Sequence, residues 1–355
     1  MTRKNGDGGR STIRDVAARA GVSASTVSRV LGGVYPVSAQ TRERVLRVVR
    51  DLDYVADARA KAVAGAGTPT LAFVLEDITG PSFAQMARGV EREATRLGHL
   101  CLVCSTDGDV RRELEFVETM RAQRAAAVIL VGGAADTSEY RERTRRIADS
   151  LAAAGARLVL CGRPPLDPGA PVTVIEYDNE SGAHALVAHV LSRGHRRVLF
   201  LGGKPDHTTA QGRERGYAAA HRDRGLDIDP ALVLHGDFTR DSGHRLMRQA
   251  LAEGLDFTAV VAATDMVASG ALTALHEAGL EVPGDVSLAG YDDIPFARDL
   301  RPALTTVHVP YEELGRLAVR TALGRAPDAR GEHLLLGTHV VVRESVAGVG
   351  GGSTG

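Results

Sequence analysis

The chain has 355 residues, 44% hydrophobic and 25% charged, which excludes a disordered or fibrous protein and leaves room for two or three domains with sizeable cores. Its formal net charge of −1 conceals an asymmetry: residues 1–64 hold 12 Lys and Arg against 6 Asp and Glu, a head of +6 on a remainder of −7. Cys101, Cys104 and Cys161 make no disulfide framework, and no run approaches the ~20 apolar residues of a membrane helix.

The opening MTRKNGDGGRS lacks the apolar core of a signal peptide, so a cytoplasmic protein with a flexible arm over residues 1–10 is expected. Ile13, Val16, Ala17 and Ala20 fall at i, i+3, i+4 and i+7, the apolar stripe of a short helix, and Thr12 with Asp15 makes a capping box at its start. Gly21-Val22-Ser23 interrupts the pattern with a glycine suited to the left-handed region, an apolar anchor and a capping serine. A second helix follows from about Ala24 to Leu31 with Val27, Val30 and Leu31 inward, giving a helix-turn-helix whose second helix would enter the major groove of DNA. After a turn containing Pro36, Ser38 caps a third helix running to about Asp53.

From Thr12 onward this segment resembles the headpiece of the LacI/GalR family of bacterial transcription regulators, and the resemblance runs nearly to Ser345. It implies that Ala24, Ser25 and Arg29 read base edges and that Thr26 and Ser28 meet phosphate or cap the helix. Thr12 and Ser23, at the two helix starts, complete the expected DNA-facing set of residues 11–53. Residues 54–68 match the family's hinge helix, which orders on operator DNA and wedges a leucine into the minor groove. Here Val63 stands at the leucine position, Lys61 lies beside it, and Ala56-Asp57 replaces the usual Pro-Asn.

From Thr70 short apolar runs alternate with amphipathic stretches. Strands are expected at Leu71 to Leu75, Leu100 to Cys104, Ala127 to Val131 and Leu158 to Cys161, with helices near 82–97, 109–123 and 139–154. LGHLCLVCS reads as a buried strand in which residues three apart face opposite ways, so Cys101 and Cys104 are ordinary thiols rather than a redox or zinc pair. The proline-rich Arg163 to Pro171 reads as a link between two lobes. Beyond it come strands near 172–177, 197–201, 231–234, 258–262 and 286–290, and helices near 179–193, 208–224, 240–253 and 265–279. Alternation of this kind predicts parallel sheets flanked by helices.

Thr305 to Pro310 and the helix after it look like a return to the first lobe, and HLLLGTHVVVRES like a last hairpin on the second. The expected architecture is therefore a small all-α helix-turn-helix headpiece and an α/β two-lobed periplasmic-binding-protein-like core. Lobe 1 covers about 69–162 plus 296–324, lobe 2 about 168–293 plus 327–345, and residues 346–355 form a flexible tail.

Ligands of open α/β sheets sit at the strand ends, here the cleft between lobes. By the resemblance, Phe83 lies against an effector or packs under its helix, and Arg163 forks to a hydroxyl or carboxylate or stays a surface crossover residue. Arg213, three residues ahead of Gly216-Tyr217, matches the family's principal effector contact, with His207 and Thr209 in the loop before it. Phe238 stacks on a ring or packs in the core, Asp265 caps its helix while Thr264 faces the ligand, and Asp292 is a hydroxyl-binding carboxylate. Arginine, aspartate and aromatic groups around one cleft suit a sugar or polyol.

An enzyme is disfavoured, since no phosphate-binding glycine loop, GxSxG or paired metal-ligand spacing appears, and neither cofactor nor metal is expected. A solute-binding protein would explain the body but not the helix-turn-helix, and an architectural DNA binder the reverse. The expected protein is a homodimeric repressor that binds a pseudo-palindromic operator under control of a small effector. A sugar or related polyol is the expected effector; a corepressor that is a nucleobase or other non-sugar metabolite is the alternative.

Overall fold

The computed structural model describes residues 11–32, 37–54, 69–325 and 333–349. The arm at 1–10, the turn at Pro36, the hinge with Ala56, Asp57, Lys61 and Val63, and the last residues of the tail lie outside the described residues. The chain divides into two units, Met1–Thr68 and Pro69–Gly355.

In the first unit, α1 (Ile13–Ala20), α2 (Ala24–Gly32) and α3 (Ala39–Asp51) enclose a core of Val16, Ala17, Ala20, Val27, Val30, Val45 and Val48. The Thr12 amide donates to Asp15 Oδ2 at 2.8 Å while the Asp15 amide reaches Thr12 Oγ1 at 3.4 Å, so each end of the capping box satisfies an amide the helix leaves unpaired. Gly21, at φ 64°, ends α1 in the left-handed region, where a side chain would be strained. Ser23 Oγ then accepts from the Thr26 amide at 3.1 Å and starts α2.

The second unit holds two parallel sheets. Strands β1 (Thr70–Leu75), β2 (Leu100–Ser105), β3 (Ala127–Val131), β4 (Arg157–Cys161), β5 (Val172–Tyr177) and β11 (His333–Leu336) form the first, in the order β11-β5-β4-β3-β1-β2. Along β1, Leu71, Phe73 and Leu75 join one core while Ala72 and Val74 join another, the alternation that a sheet covered on both faces demands. Helices α4 (Pro81–Arg96) and α11 (Tyr311–Ala322) cover the first face, α5 (Val110–Ala122) and α6 (Ser138–Ala153) the second. The other sheet, β7 (Val233–Leu234), β6 (Val198–Leu201), β8 (Ala259–Ala262) and β9 (Ser287–Ala289), lies between α7 (Asn179–Ser192) with α8 (Thr208–Asp223) and α9 (Arg240–Ala252) with α10 (Asp265–Glu277). Glycines set the helix spacing: a Cβ on Gly216 of α8 would lie 2.8 Å from the Ala183 Cβ of α7, far inside contact distance.

The lobe boundaries differ from those expected. The proline-rich segment 163–171 joins β4 to β5 within the first sheet, because β5 pairs with β4 from Leu158↔Val172 onward. The first crossing between lobes is instead at Tyr177 to Asn179. Strand β10 (Thr306–His308) stays with the second lobe, His308 bridging to Asp292 and Thr305 just before it to Ala289, and the return to the first lobe is α11. β11 and β12 (His339–Val341) are not a hairpin: β11 extends the first sheet beside β5, while β12 pairs antiparallel with β10. Residues 346–349 are no free tail either, since Val346 is buried and the Val349 amide donates to the Arg193 carbonyl at 3.0 Å. β2 is an edge strand, with Leu100 55% and Val103 40% exposed, rather than a buried one. Burial still pushes the Cys101 thiol up to about 11 and Cys161 up to about 12, which favours the protonated thiol in both at neutral pH.

Glu93 ties α4 to α11. Its carboxylate accepts from Arg96 at 2.7 Å and from Arg320 at 2.8 Å, and the Arg96 hydrogen bond foremost, against burial and with help from Arg320, holds it down to about 2. Its folded value lies below the ordinary 4.5, so its contribution is present above that value and is lost as the pH falls through the folded one. Glu93→Gln is expected to cost about 1–3 kcal/mol in urea unfolding at neutral pH. The gap to the wild type should close between pH 4.5 and 2; a gap independent of pH would contradict the assignment.

Candidate functional site

Two surfaces carry the expected site residues, and each is built by its own unit. On the helix-turn-helix, Ser25, Ser28 and Arg29 are exposed while Ala24 and Thr26 are half-buried. Ser23 Oγ lies 2.8 Å from Ser25 Oγ and 2.9 Å from Thr26 Oγ1, so the start of α2 presents a cluster of hydroxyls on an amide-rich helix N-terminus. Thr12 and Ser23 are exposed at the caps. This surface offers hydroxyl and guanidinium donors without a carboxylate on α2, the chemistry that phosphate and guanine edges require.

In the second unit a cleft of about 440 Å³ lies between the lobes. Phe83, His207, Thr209, Arg213, Phe238, Thr264 and Asp292 all line it. At its floor Arg213, 2% exposed, donates through Nη2 to Asp292 Oδ1 at 3.0 Å and through Nε to Asn179 Oδ1 at 3.0 Å. Its Nη1 donates to the Ala263 carbonyl at the end of β8, and its guanidinium lies 3.8 Å from the Tyr291 ring centroid. The Tyr311 hydroxyl donates to the same Asp292 oxygen at 2.8 Å. Both bonds end on Oδ1.

Burial opposes the charge on Arg213, but Asp292 foremost among its neighbours raises its pKa above the ordinary value, so it stays a cation. Burial likewise raises the Asp292 carboxyl, against the pull of Arg213 and Tyr311. Asp292 also has φ 111°, a conformation disfavoured for a residue with a side chain, and the Val307 carbonyl fixes it by accepting the Asp292 amide at 2.9 Å. Burial, then Lys204 and Arg213, push His207 down to about 4, so its ring is neutral at neutral pH. His207 meets Phe238 edge to face, with centroids 5.4 Å apart.

Two expected effector residues lie elsewhere. Arg163 is buried against Glu113, 2.6 Å from Oε2, and does not line the cleft; its side chain holds α5 to the β4 end. Asp265 does not cap α10: Thr264 does, accepting from the Val267 amide at 3.1 Å. Asp265 is instead fully buried and accepts from Thr306 Oγ1 at 2.6 Å and the Ile294 amide at 2.9 Å, bracing the loop that carries Asp292. Conversely Tyr177, Asn179, Tyr291 and Tyr311 surround Arg213 without having been singled out from the sequence. The charge pair Lys204–Asp237, 3.6 Å apart, lies at the wall. A buried arginine needs several acceptors, a signal that points to partners without saying which they are.

A helix-turn-helix on a two-lobed, cleft-bearing α/β body defines the class of ligand-responsive DNA-binding regulators. Comparison with known proteins agrees: residues 12–57 match the model of bacterial regulatory proteins of the lacI family, and residues 187–346 that of a periplasmic binding protein-like domain. The chain is 32% identical over 314 residues to the ribose operon repressor of Escherichia coli (strain K12), covering 88% of this chain and 92% of that one. It is 33% identical over 343 residues to the HTH-type transcriptional regulator CelR of Thermobifida fusca, covering 95% and 98%. A crystal structure of the lac repressor dimer bound to operator and the anti-inducer ONPF superposes with a TM-score of 0.82 at 26% identity, covering 96% of this chain and all of that one. The CelR–cellobiose complex matches with a TM-score of 0.69 at 31% identity, covering 95% of this chain and all of that one. The chain belongs to the lacI family of bacterial regulatory proteins.

Arg213→Met leaves Asp292 buried without its counter-charge and is expected to cost about 3–5 kcal/mol in urea unfolding. Arg213→Met with Asp292→Asn should cost clearly less, because no orphaned charge remains. A double variant whose loss equals the sum of the Arg213→Met and Asp292→Asn losses would show that the two groups are energetically independent.

Proposed function

We propose that this chain is a transcriptional repressor, acting as a homodimer on a pseudo-palindromic operator, whose DNA affinity is set by a small effector bound in the cleft. The carrying observation is the buried Arg213–Asp292 pair at the cleft floor of a chain that begins with a helix-turn-helix. Exposed Arg29, Ser25 and Ser28, with Ala24, read the groove, while Thr12, Ser23 and Thr26 position the headpiece through phosphate contacts. Lys61 and Val63 of the 54–68 hinge engage the centre of the site.

The effector is a sugar or polyol. Asp292 Oδ2 accepts hydroxyls, Thr209, Thr264 and neutral His207 exchange further hydrogen bonds, and Phe83 and Phe238 supply flat apolar surface. Relatives named for ribose and cellobiose support this class. The HTH-type transcriptional repressor PurR of Haemophilus influenzae (strain PittEE) is 31% identical over 314 residues, and nucleobases, the alternative effector class, form the comparison arm of the test. Binding and release of this effector call for neither catalysis nor a cofactor.

Operator DNA from upstream of the chain's own gene and its neighbours, measured by fluorescence anisotropy at fixed salt, tests it. One member of a panel of ribose, cellobiose, other neutral sugars and purine bases is expected to shift affinity about tenfold or more, the sign separating inducer from corepressor. Unchanged affinity at saturating ligand throughout the panel refutes effector control. In the same assay Arg29→Ala should cost about 1–3 kcal/mol and relax preference at one base pair per half-site. A loss uniform across sequences would assign Arg29 to phosphate instead.

A further inference from the structure

The rim of the cleft contains a feature separate from the Arg213 floor. The loop after β3 reaches from the first lobe to the start of α8 in the second, where the Thr208 amide donates to the Ala134 carbonyl at 3.1 Å and Ala135 and His207 form an antiparallel bridge. Thr208 is the first residue of α8, and the opening amides of a helix have no partner within it. His207, at the cap, makes no capping bond through its side chain. The other lobe therefore supplies the acceptor that the first α8 amide would otherwise lack.

We propose that Gly133 is a positioning residue for closure of the cleft: its missing side chain lets this main-chain clasp form and hold the lobes together. A Cβ there would collide with the Cε1 of His207 and lie 2.6 Å from its Nδ1 and 2.7 Å from Thr209 Oγ1. Neither obstacle moves aside easily, since Phe238 packs against the His207 ring and Thr209 is buried. Gly132 next to it has φ 92° and is a glycine for its own backbone, whereas Gly133 has no such φ. The three nearest obstacles to a Cβ at 133 thus all belong to the opposite lobe. The clasp joins backbone groups on both sides, Thr208 to Ala134 and His207 to Ala135. The proposal rests on the reading above that a small effector binds in the cleft between the lobes.

The test reads the clasp in the full-length protein without a ligand. In Gly133→Ala, hydrogen exchange at the Thr208 amide should accelerate about tenfold or more, the net worth of a lost hydrogen bond. Carbethoxylation of His207 should accelerate with it, relative to the exposed His339. Gly337→Ala, where a Cβ meets open space, should change neither rate. Thr208→Pro removes the donor without adding a Cβ at 133, at a helix position that accepts proline, and should likewise expose His207. Removing both obstacles in Gly133→Ala/His207→Ala/Thr209→Ala should return protection to the Thr208 amide. Wild-type protection in Gly133→Ala overturns the proposal, and so does a triple variant that exchanges as fast as the single one. If no ligand alters operator affinity while Gly133→Ala still frees Thr208, the clasp stands and effector control falls. Ligand control of DNA binding with Thr208 exchange unmoved by Gly133→Ala overturns the clasp and leaves effector control standing.

Discussion

A guanidinium almost without contact to water has to be surrounded by acceptors, and meeting that demand for Arg213 organises the second unit. Its partners come from four places in the chain: Tyr177 at the end of β5, Asn179 at the first crossing between lobes, Ala263 at the end of β8, and Tyr291 and Asp292 after β9. Tyr311, where the chain re-enters the first lobe, joins through Asp292. Arg213 sits on a second-lobe helix, yet Tyr177 ends a first-lobe strand and Tyr311 begins a first-lobe helix. The Arg213–Asp292 pair is therefore held by groups of both lobes at once.

The remaining supports around Asp292 serve the same end. Asp265 holds the loop from below through Thr306 and the Ile294 amide, and Asp293 beside it pairs with His308 at 3.0 Å and Arg343 at 2.5 Å. The three neighbouring carboxylates thus have three different sets of partners. Of the three, Asp292 is the one whose side-chain bonds to Arg213 and Tyr311 both fall on a single oxygen, whereas Asp265 and Asp293 each engage both of theirs.

What could be read from the sequence was what neighbouring residues decide. The capping box of Thr12 and Asp15, the glycine at 21 and the Ser38 cap are local chemistry, and the alternating strands and helices are periodicity; the structure has all of them. Seven of nine expected effector residues reached the cleft: six lie near a strand end or helix start, where the ends of parallel sheets converge, and Arg213 follows on the second turn of α8. The errors were nonlocal. Whether β5 joins β4 or β6 depends on pairing across a loop, which leaves no periodic trace, and the prolines at 164 and 165 suggested a boundary that the sheet does not have. Arg163 has the right type and address, but Glu113, fifty residues earlier, captured it. Thr264 and Asp265 are both good caps in adjacent positions, and the backbone turn chose between them. Tyr311 and Asn179 carry no motif at all, and only the folded position of Arg213 marks them.

The three crossings, at 177–179, between β10 and α11, and between β11 and β12, also bear on how such a chain can be rebuilt. Neither lobe is one continuous segment, so exchanging either one for a relative's requires matched junctions at several places at once. Residues up to 68, by contrast, connect to the rest through a single point. Recombination can therefore transplant the DNA-reading module in one cut while ligand specificity changes piecemeal, by substitution within the cleft, and the two selectivities are free to diversify at different rates.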